Sequence, residues 1–128
     1  MTTLLGISVL IEDDHADSAE LVVRALRKRG IRVEAVEDGV TALNKLKDVT
    51  PRVVVLDEMM PGIDGLEVLR QIRTRPELVD VKVVFYSALF DWERHRDAYK
   101  MGAERWFVKG INHIDVVTGL VQSLCNLQ

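Results

Sequence analysis

Short apolar runs alternate with stretches of helical periodicity along the whole chain, and this alternation constrains the fold more than any other feature. Ile7 to Ile11 is a mainly apolar run that ends in Glu12, Asp13 and Asp14. From about His15 to Arg29, Ala19, Val22, Val23 and Leu26 recur at helical spacing, and Gly30 stops the helix. Ile31, Val33 and Ala35 alternate with Arg32 and Glu34, as in a half-exposed edge strand. Val40 to Lys47 reads as a short helix with Val40, Leu43 and Leu46 on one side. Val53 to Leu56 is an unbroken apolar run, which suits a central strand buried on both faces, and Asp57 ends it. The loop from Glu58 to Gly65 contains Pro61 and Gly62. Leu66, Leu69 and Ile72 mark a third helix, closed before Pro76. Val81 to Tyr86 is a further strand followed by Ser87. A polar helix runs from about Asp91 to Met101 and ends at Gly102. Trp106 to Val108 is a brief strand that ends at Lys109, and Ile114, Val117, Leu120, Val121 and Leu124 form the stripe of a last helix.

Strands separated by helical segments of about 10–15 residues indicate βαβ units and a parallel sheet with right-handed crossovers. The expected class is therefore α/β, with five strands and five helices in one domain over residues 1–128. Only the second strand shows clear alternation, which places it at a sheet edge.

A net charge of −3 gives no reason to propose nucleic-acid or membrane binding. The lone cysteine, Cys125, excludes an internal disulfide and reads as a small core or near-surface residue. No apolar run is long enough to span a membrane. The first residues lack the basic region and cleavage site of a signal peptide, so a cytoplasmic location is expected.

The chemistry gathers where strands end. Glu12, Asp13 and Asp14 follow the first strand, Asp57 the third, Ser87 the fourth and Lys109 the fifth. In an open parallel sheet the carboxyl ends of the strands share one edge, and ligands bind in the crevice there. Carboxylates at close range repel one another and need a counter-charge. A hard divalent cation such as Mg2+ supplies it and also favours phosphate oxygens. Lys109 adds a mobile positive charge and Ser87 a hydroxyl donor. Together these groups describe a site that accepts a phosphoryl group, with a well-placed carboxylate as nucleophile. Asp57 fits that role because it caps a central strand.

The segments Val-Leu-Ile-Glu-Asp-Asp (9–14), Val-Val-Val-Leu-Asp-Glu-Met-Met-Pro-Gly-Ile-Asp-Gly (53–65), Phe-Tyr-Ser-Ala (85–88) and Gly-Ala-Glu-Arg-Trp-Phe-Val-Lys (102–109) occur in this order. With them the chain resembles, over essentially its whole length, the receiver domains of two-component response regulators, the family of the chemotaxis regulator. The resemblance implies a flavodoxin-like, doubly wound sheet with strand order 2-1-3-4-5. It implies that Asp57 is the phosphoacceptor. Asp13 then binds Mg2+ (or Mn2+) directly, Glu12 mostly through water, and the backbone carbonyl of Met59 completes the protein ligands beside Asp57. Ser87 bonds a phosphoryl oxygen and Lys109 pairs with the phosphoryl group. Ser87 and Trp106 occupy the switch positions. The implied donor is a phosphohistidine on a sensor histidine kinase or phosphotransfer domain. The implied output is a change in the surface of the fourth helix, fifth strand and fifth helix, which an output partner or a homodimer reads. Such a domain catalyses its own phosphorylation and dephosphorylation and is not a turnover enzyme. No DNA-binding or catalytic output segment is expected after residue 128.

Two positions depart from the family pattern. Gly110 stands where proline usually follows the lysine, so a trans Lys109–Gly110 bond or an altered loop is expected. Trp106 is larger than the usual switch residue, which implies a less mobile side chain or one that stays outward. Met59 and Leu89, two residues beyond Asp57 and Ser87, are apolar and offer a hydrolytic water no hydrogen bond, which implies a long-lived phosphoryl group.

Plainer readings stand beside these. Asp14 reads as a helix cap and Asp64 as a turn residue. Ser87 alone would suit a cap of the fourth helix, and Lys109 alone a solvated lysine. His15, His95 and His113 have no spacing that suggests a metal site and read as surface or capping residues. Trp92, His95 and Tyr99 share helical spacing and suit either packing against the domain or a partner surface together with Trp106. The alternative function is a phosphorylation-independent pseudo-receiver, an interaction module that Gly110 favours and the complete acid, serine and lysine set opposes. A flavodoxin-like electron carrier would need a phosphate-cradling loop after the first strand, and Glu-Asp-Asp-His would repel a flavin phosphate.

Overall fold

Runs rich in β-branched valine favour extended backbone, and burial on both faces lets them lie in the middle of a sheet. The computed structural model describes residues 6–59 and 62–127; Met60 and Pro61 of the loop motif, and residues 1–5, lie outside the described residues. Strands β1 (Val9–Glu12), β2 (Val33–Val36), β3 (Val53–Leu56), β4 (Lys82–Ser87) and β5 (Arg105–Val108) alternate with helices α1 (Ala16–Lys28), α2 (Gly39–Lys45), α3 (Gly65–Arg73), α4 (Trp92–Lys100) and α5 (Ile114–Cys125). All the strand pairings are parallel, in the order β2-β1-β3-β4-β5. The expected flavodoxin-like topology is thus the observed one, with β2 at an edge. Among the described residues, no helix is long and apolar enough to cross a membrane.

The two faces of the sheet carry separate cores, because successive strand side chains point to opposite sides. Val9, Ile11, Val53, Val55, Val84 and Phe107 pack under α1 and α5, where Val22, Leu26, Val117 and Val121 meet them. Leu10, Val54, Leu56, Val83, Phe85 and Trp106 face α2, α3 and α4, contributing to a core with Leu43, Leu69, Ile72 and Ala98. The same alternation sends Glu12, after Leu10, to the second face.

Some local expectations need correction. Val40 is 57% exposed, because α2 begins at Gly39 and turns Gly39, Ala42 and Leu43 inward. Ala35 is exposed, because it borders an open cleft between β2 and the first turns of α1. Asp14 does not cap α1; His15 holds the N-cap position, and its side chain makes no capping bond. Asp64 does more than turn the chain, since its carboxylate caps α3 by accepting the Glu67 N–H at 2.9 Å. The cap of α4 is Asp91 and not Ser87. The Lys109–Gly110 bond is trans, with Gly110 at φ +83°. Trp106 does not stay outward: it is 8% exposed and stacks on Phe85 at 4.6 Å.

Candidate functional site

Parallel register brings the strand tips level. Glu12 pairs with Leu56, Leu56 with Phe85, and Ser87 with Val108. The residues at or just after these positions are Asp13, Asp57, Ser87 and Lys109, so groups far apart in sequence arrive at one edge. The backbone locks the arrangement, with Asp57 N–H donating to the Glu12 carbonyl at 3.1 Å and Lys109 N–H to the Ser87 carbonyl at 2.9 Å.

At the centre, the Lys109 ammonium donates to Asp13 Oδ2 at 2.8 Å and to Asp57 Oδ2 at 3.0 Å. Both carboxylates are buried, and Lys109 is mostly so. Burial alone pulls the Lys109 pKa down, but the hydrogen bonds and charges of Asp13 and Asp57 outweigh it and hold the ammonium above its ordinary value. Two buried carboxylates share one cation, so the pocket keeps an excess of negative charge. The ring of Tyr86 also lies under the ammonium, 5.7 Å from its centroid.

Asp57 Oδ1 accepts the Met59 N–H at 3.1 Å, which orients the carboxylate from below. Gly65 is required beside it: a Cβ there would lie 2.7 Å from the Asp57 carbonyl oxygen and 2.9 Å from the Phe85 ring. Ser87 is fully buried at the end of β4, and its Oγ accepts the Leu89 N–H at 3.2 Å. Its hydroxyl hydrogen is therefore free to turn toward a ligand. Trp106 sits behind this strand end, and its indole N–H donates to the Leu89 carbonyl at 3.0 Å.

Glu12 lies on the other face of β1 from Asp13. It is 1% exposed, and both its carboxylate oxygens lack a hydrogen-bond partner among the described residues. Burial, then the charges of Asp57, Asp38, Glu58 and Asp13, push its pKa up to about 9. Its carboxylate fills the space that a side chain on Gly39 would need, with Oε2 2.8 Å from where a Cβ would sit. The structure thus brings Asp13, Asp57 and Lys109 into direct contact and leaves Glu12 adjacent, with no hydrogen-bond partner among the described residues.

Three groups escaped the sequence reading. His15 Nδ1 is 3.1 Å from Asp14 Oδ1, 3.4 Å from Asp13 Oδ1 and 3.8 Å from Asp57 Oδ2. Glu58, read only as loop, is 2% exposed; it accepts the Leu66 N–H at 2.9 Å and pairs with Arg94 of α4. Burial raises the Glu58 pKa, against the opposing pull of the Leu66 N–H and Arg94. Arg94 also reaches Asp64 at 3.4 Å. No periodicity flags these side chains; only the fold brings α4 over the loop after β3. An open cleft of about 560 Å3 lies over Asp57, lined by His15, Glu58, Met59, Leu89 and Arg94 among others.

The donor set fits a hard dication. One ligand atom from each of Asp13, Asp14, His15 and Asp57 lies within 4.8 Å of the others, and the set is rich in carboxylate oxygen. Glu12, buried beside it with no hydrogen-bond partner among the described residues, is a carboxyl group that a nearby cation would help to ionise.

A family model described as the response regulator receiver domain matches residues 9–120. The response regulator MprA of Mycobacterium sp. (strain KMS) is 40% identical over 80 residues, which cover 62% of this chain and 35% of MprA. The transcriptional regulatory protein TrcR of Mycobacterium tuberculosis (strain ATCC 25618 / H37Rv) is 46% identical over 67 residues, covering 52% of this chain and 26% of TrcR. The matched segment thus spans about a third or less of the length of these curated relatives. Among solved structures, the response regulator protein TrrA of Thermotoga maritima, in complex with Mg2+-BeF, aligns with a TM-score of 0.78 and 30% identity over 91% of this chain and 96% of that one.

Proposed function

The chain belongs to the response regulator receiver family, and from that membership we propose that it accepts a phosphoryl group on Asp57 and signals through its surface. The observation that carries the reading is the double hydrogen bond of Lys109 to Asp13 and Asp57, which joins three strand ends at one point. In the proposed transfer an Asp57 carboxylate oxygen bonds phosphorus as the phosphorus–nitrogen bond of a phosphohistidine donor breaks. Lys109 then moves its charge from the bare carboxylate to a phosphoryl oxygen. Ser87 turns its hydroxyl hydrogen to another, and its backbone follows. A lysine and a hydroxyl already at the strand ends favour the transition state because they lie close to where its charge develops.

Asp13 and Asp57, with the Met59 carbonyl, would hold Mg2+ or Mn2+, and Glu12 would act from behind through water. The bound ion would neutralise charge on the phosphoryl oxygens. The Mg2+-BeF complex of TrrA supports a divalent metal at a receiver site. The donor would be a sensor histidine kinase or phosphotransfer domain in a cytoplasmic setting. Trp106, held by its bond to Leu89, would report the movement of Ser87 to α4, β5 and α5, where an output partner or a second copy binds.

Incubation with a radiolabelled small phosphodonor and Mg2+ tests the reading. Wild type should become labelled and Asp57→Asn should not; equal labelling of both would overturn it. Met59 is 53% exposed at the mouth of the cleft, and Leu89 lines it too. Two apolar side chains there give a hydrolytic water no partner, so the label should persist. Met59→Asn should shorten its half-life several-fold, as followed by loss of label over time, and an unchanged decay would remove the argument.

A further inference from the structure

His15 has no role in the proposed phosphoryl transfer, yet its imidazole lies at the mouth of the strand-tip pocket. Its side chain is 63% exposed and makes no capping bond to α1. The His15 N–H donates to Asp13 Oδ1 at 2.9 Å, which fixes that carboxylate relative to the ring. Lys109 holds Asp13 by Oδ2, so Oδ1 remains on the His15 side. Ligand atoms around an octahedral ion with bonds of about 2.1 Å stand about 3 Å apart when adjacent and about 4.2 Å when opposite. The separations from Nδ1 to Asp13 and Asp57, 3.4 and 3.8 Å, fall between those limits.

We propose that His15 Nδ1 joins Asp13 and Asp57 as a ligand, so that the site takes a first-row transition-metal dication in preference to Mg2+. The inference rests on the reading that Asp13 and Asp57 hold a divalent ion, and it adds a nitrogen donor from this chain's own residues. Mg2+ is hard and gains little from imidazole, whereas Mn2+, Co2+ and Ni2+ gain progressively more in the Irving–Williams order. Asp14, exposed beside His15, would add charge from the solvent side.

The test uses the whole chain without phosphodonor. Calorimetric titrations with Mg2+ and Ni2+ on wild type, His15→Ala and Asp57→Asn are combined with pulsed electron paramagnetic resonance of bound Mn2+. Ni2+ should bind wild type at least about tenfold more tightly than Mg2+, and excess Mg2+ should displace it. His15→Ala should lose at least about tenfold in Ni2+ affinity while its Mg2+ affinity stays within about twofold. An imidazole nitrogen coupling to Mn2+ should be present in wild type and absent in His15→Ala. Absence of that coupling from wild type, or unchanged Ni2+ binding in His15→Ala, would overturn the proposal. If Mg2+ nonetheless binds wild type and Asp57→Asn weakens it, only the role of His15 falls. If Mg2+ does not bind wild type at all, the reading of the acidic pocket falls with it.

Discussion

The strand-tip pocket and the outer face of α4 lie on either side of Leu89, and they are built on opposite economies. The pocket buries charge: Asp13, Asp57 and Glu58 are within the protein, with Lys109 and Arg94 as their cations, and Glu12 is buried beside them. The face of α4 exposes aromatic surface. Trp92 is 76% exposed and Tyr99 45%, while the only residue α4 buries is Ala98. The rings of Phe90, Trp92, His95 and Tyr99 meet one another in edge-on or tilted pairs, and Phe90 and His95 also meet the buried ring of Trp106. A region that buries two carboxylates against one ammonium gains from a ligand that supplies further positive charge. A helix anchored by one alanine, one arginine and edge-on rings moves at small cost. The contrast suits a module in which chemistry at one place repositions a lightly held surface at the other.

The largest expected break in this contrast is Lys109→Met. It leaves Asp13 and Asp57 as uncompensated buried charges, so phosphoryl uptake should be lost and metal-free stability should fall by about 3–5 kcal/mol in urea unfolding. Added Mg2+ should restore part of that stability, because it returns a counter-charge.

Glu12 sharpens the electrostatic side. Between its ordinary pKa of 4.5 and its folded value of about 9, Glu12 is protonated in the folded chain and ionised in the unfolded one. The folded state then binds the extra proton, so this group's stabilisation is complete below about pH 4.5 and is lost as pH rises towards 9. Glu12→Gln should match wild type near pH 5 and become more stable above it, by at most about 1.4 kcal/mol per pH unit in metal-free buffer. Parallel stability curves for the two proteins would show that Glu12 ionises freely in the folded state.

A tryptophan pair tests the mechanical side. Trp106→Ala removes a buried ring stacked on Phe85 and should cost about 3 kcal/mol. Trp92→Ala removes a larger exposed area and should change stability by less than about 0.5 kcal/mol. Equal losses in thermal or urea unfolding would mean that α4 is anchored through its aromatic face.

Much of this was legible in order and spacing. Val53 to Leu56 reads as a central strand, because an unbroken run of β-branched and apolar residues suits burial on both faces of a parallel sheet. Asp57, Ser87 and Lys109 stand out because each closes an apolar run, and parallel sheets align such ends. Glu58, Arg94 and His15 were not legible, because each acquires its meaning from a neighbour on another element. Glu58 looks like an ordinary loop acid until Arg94 of α4 lies across it. His15 looks like a cap until the turn after β1 brings its ring against three carboxylates.

The sequence by itself determined the alternation of elements, the parallel sheet with β2 at its edge, and the acids and lysine at the strand ends, since period and punctuation act locally along the chain. Tertiary structure alone decided that Lys109 bridges Asp13 and Asp57, that Glu12 is buried without a hydrogen-bond partner among the described residues, that Trp106 turns inward, and that His15 faces the pocket. Those outcomes depend on which groups meet across the sheet edge and how far water is excluded from them. Both are properties of packing between distant segments, and a linear pattern does not carry them.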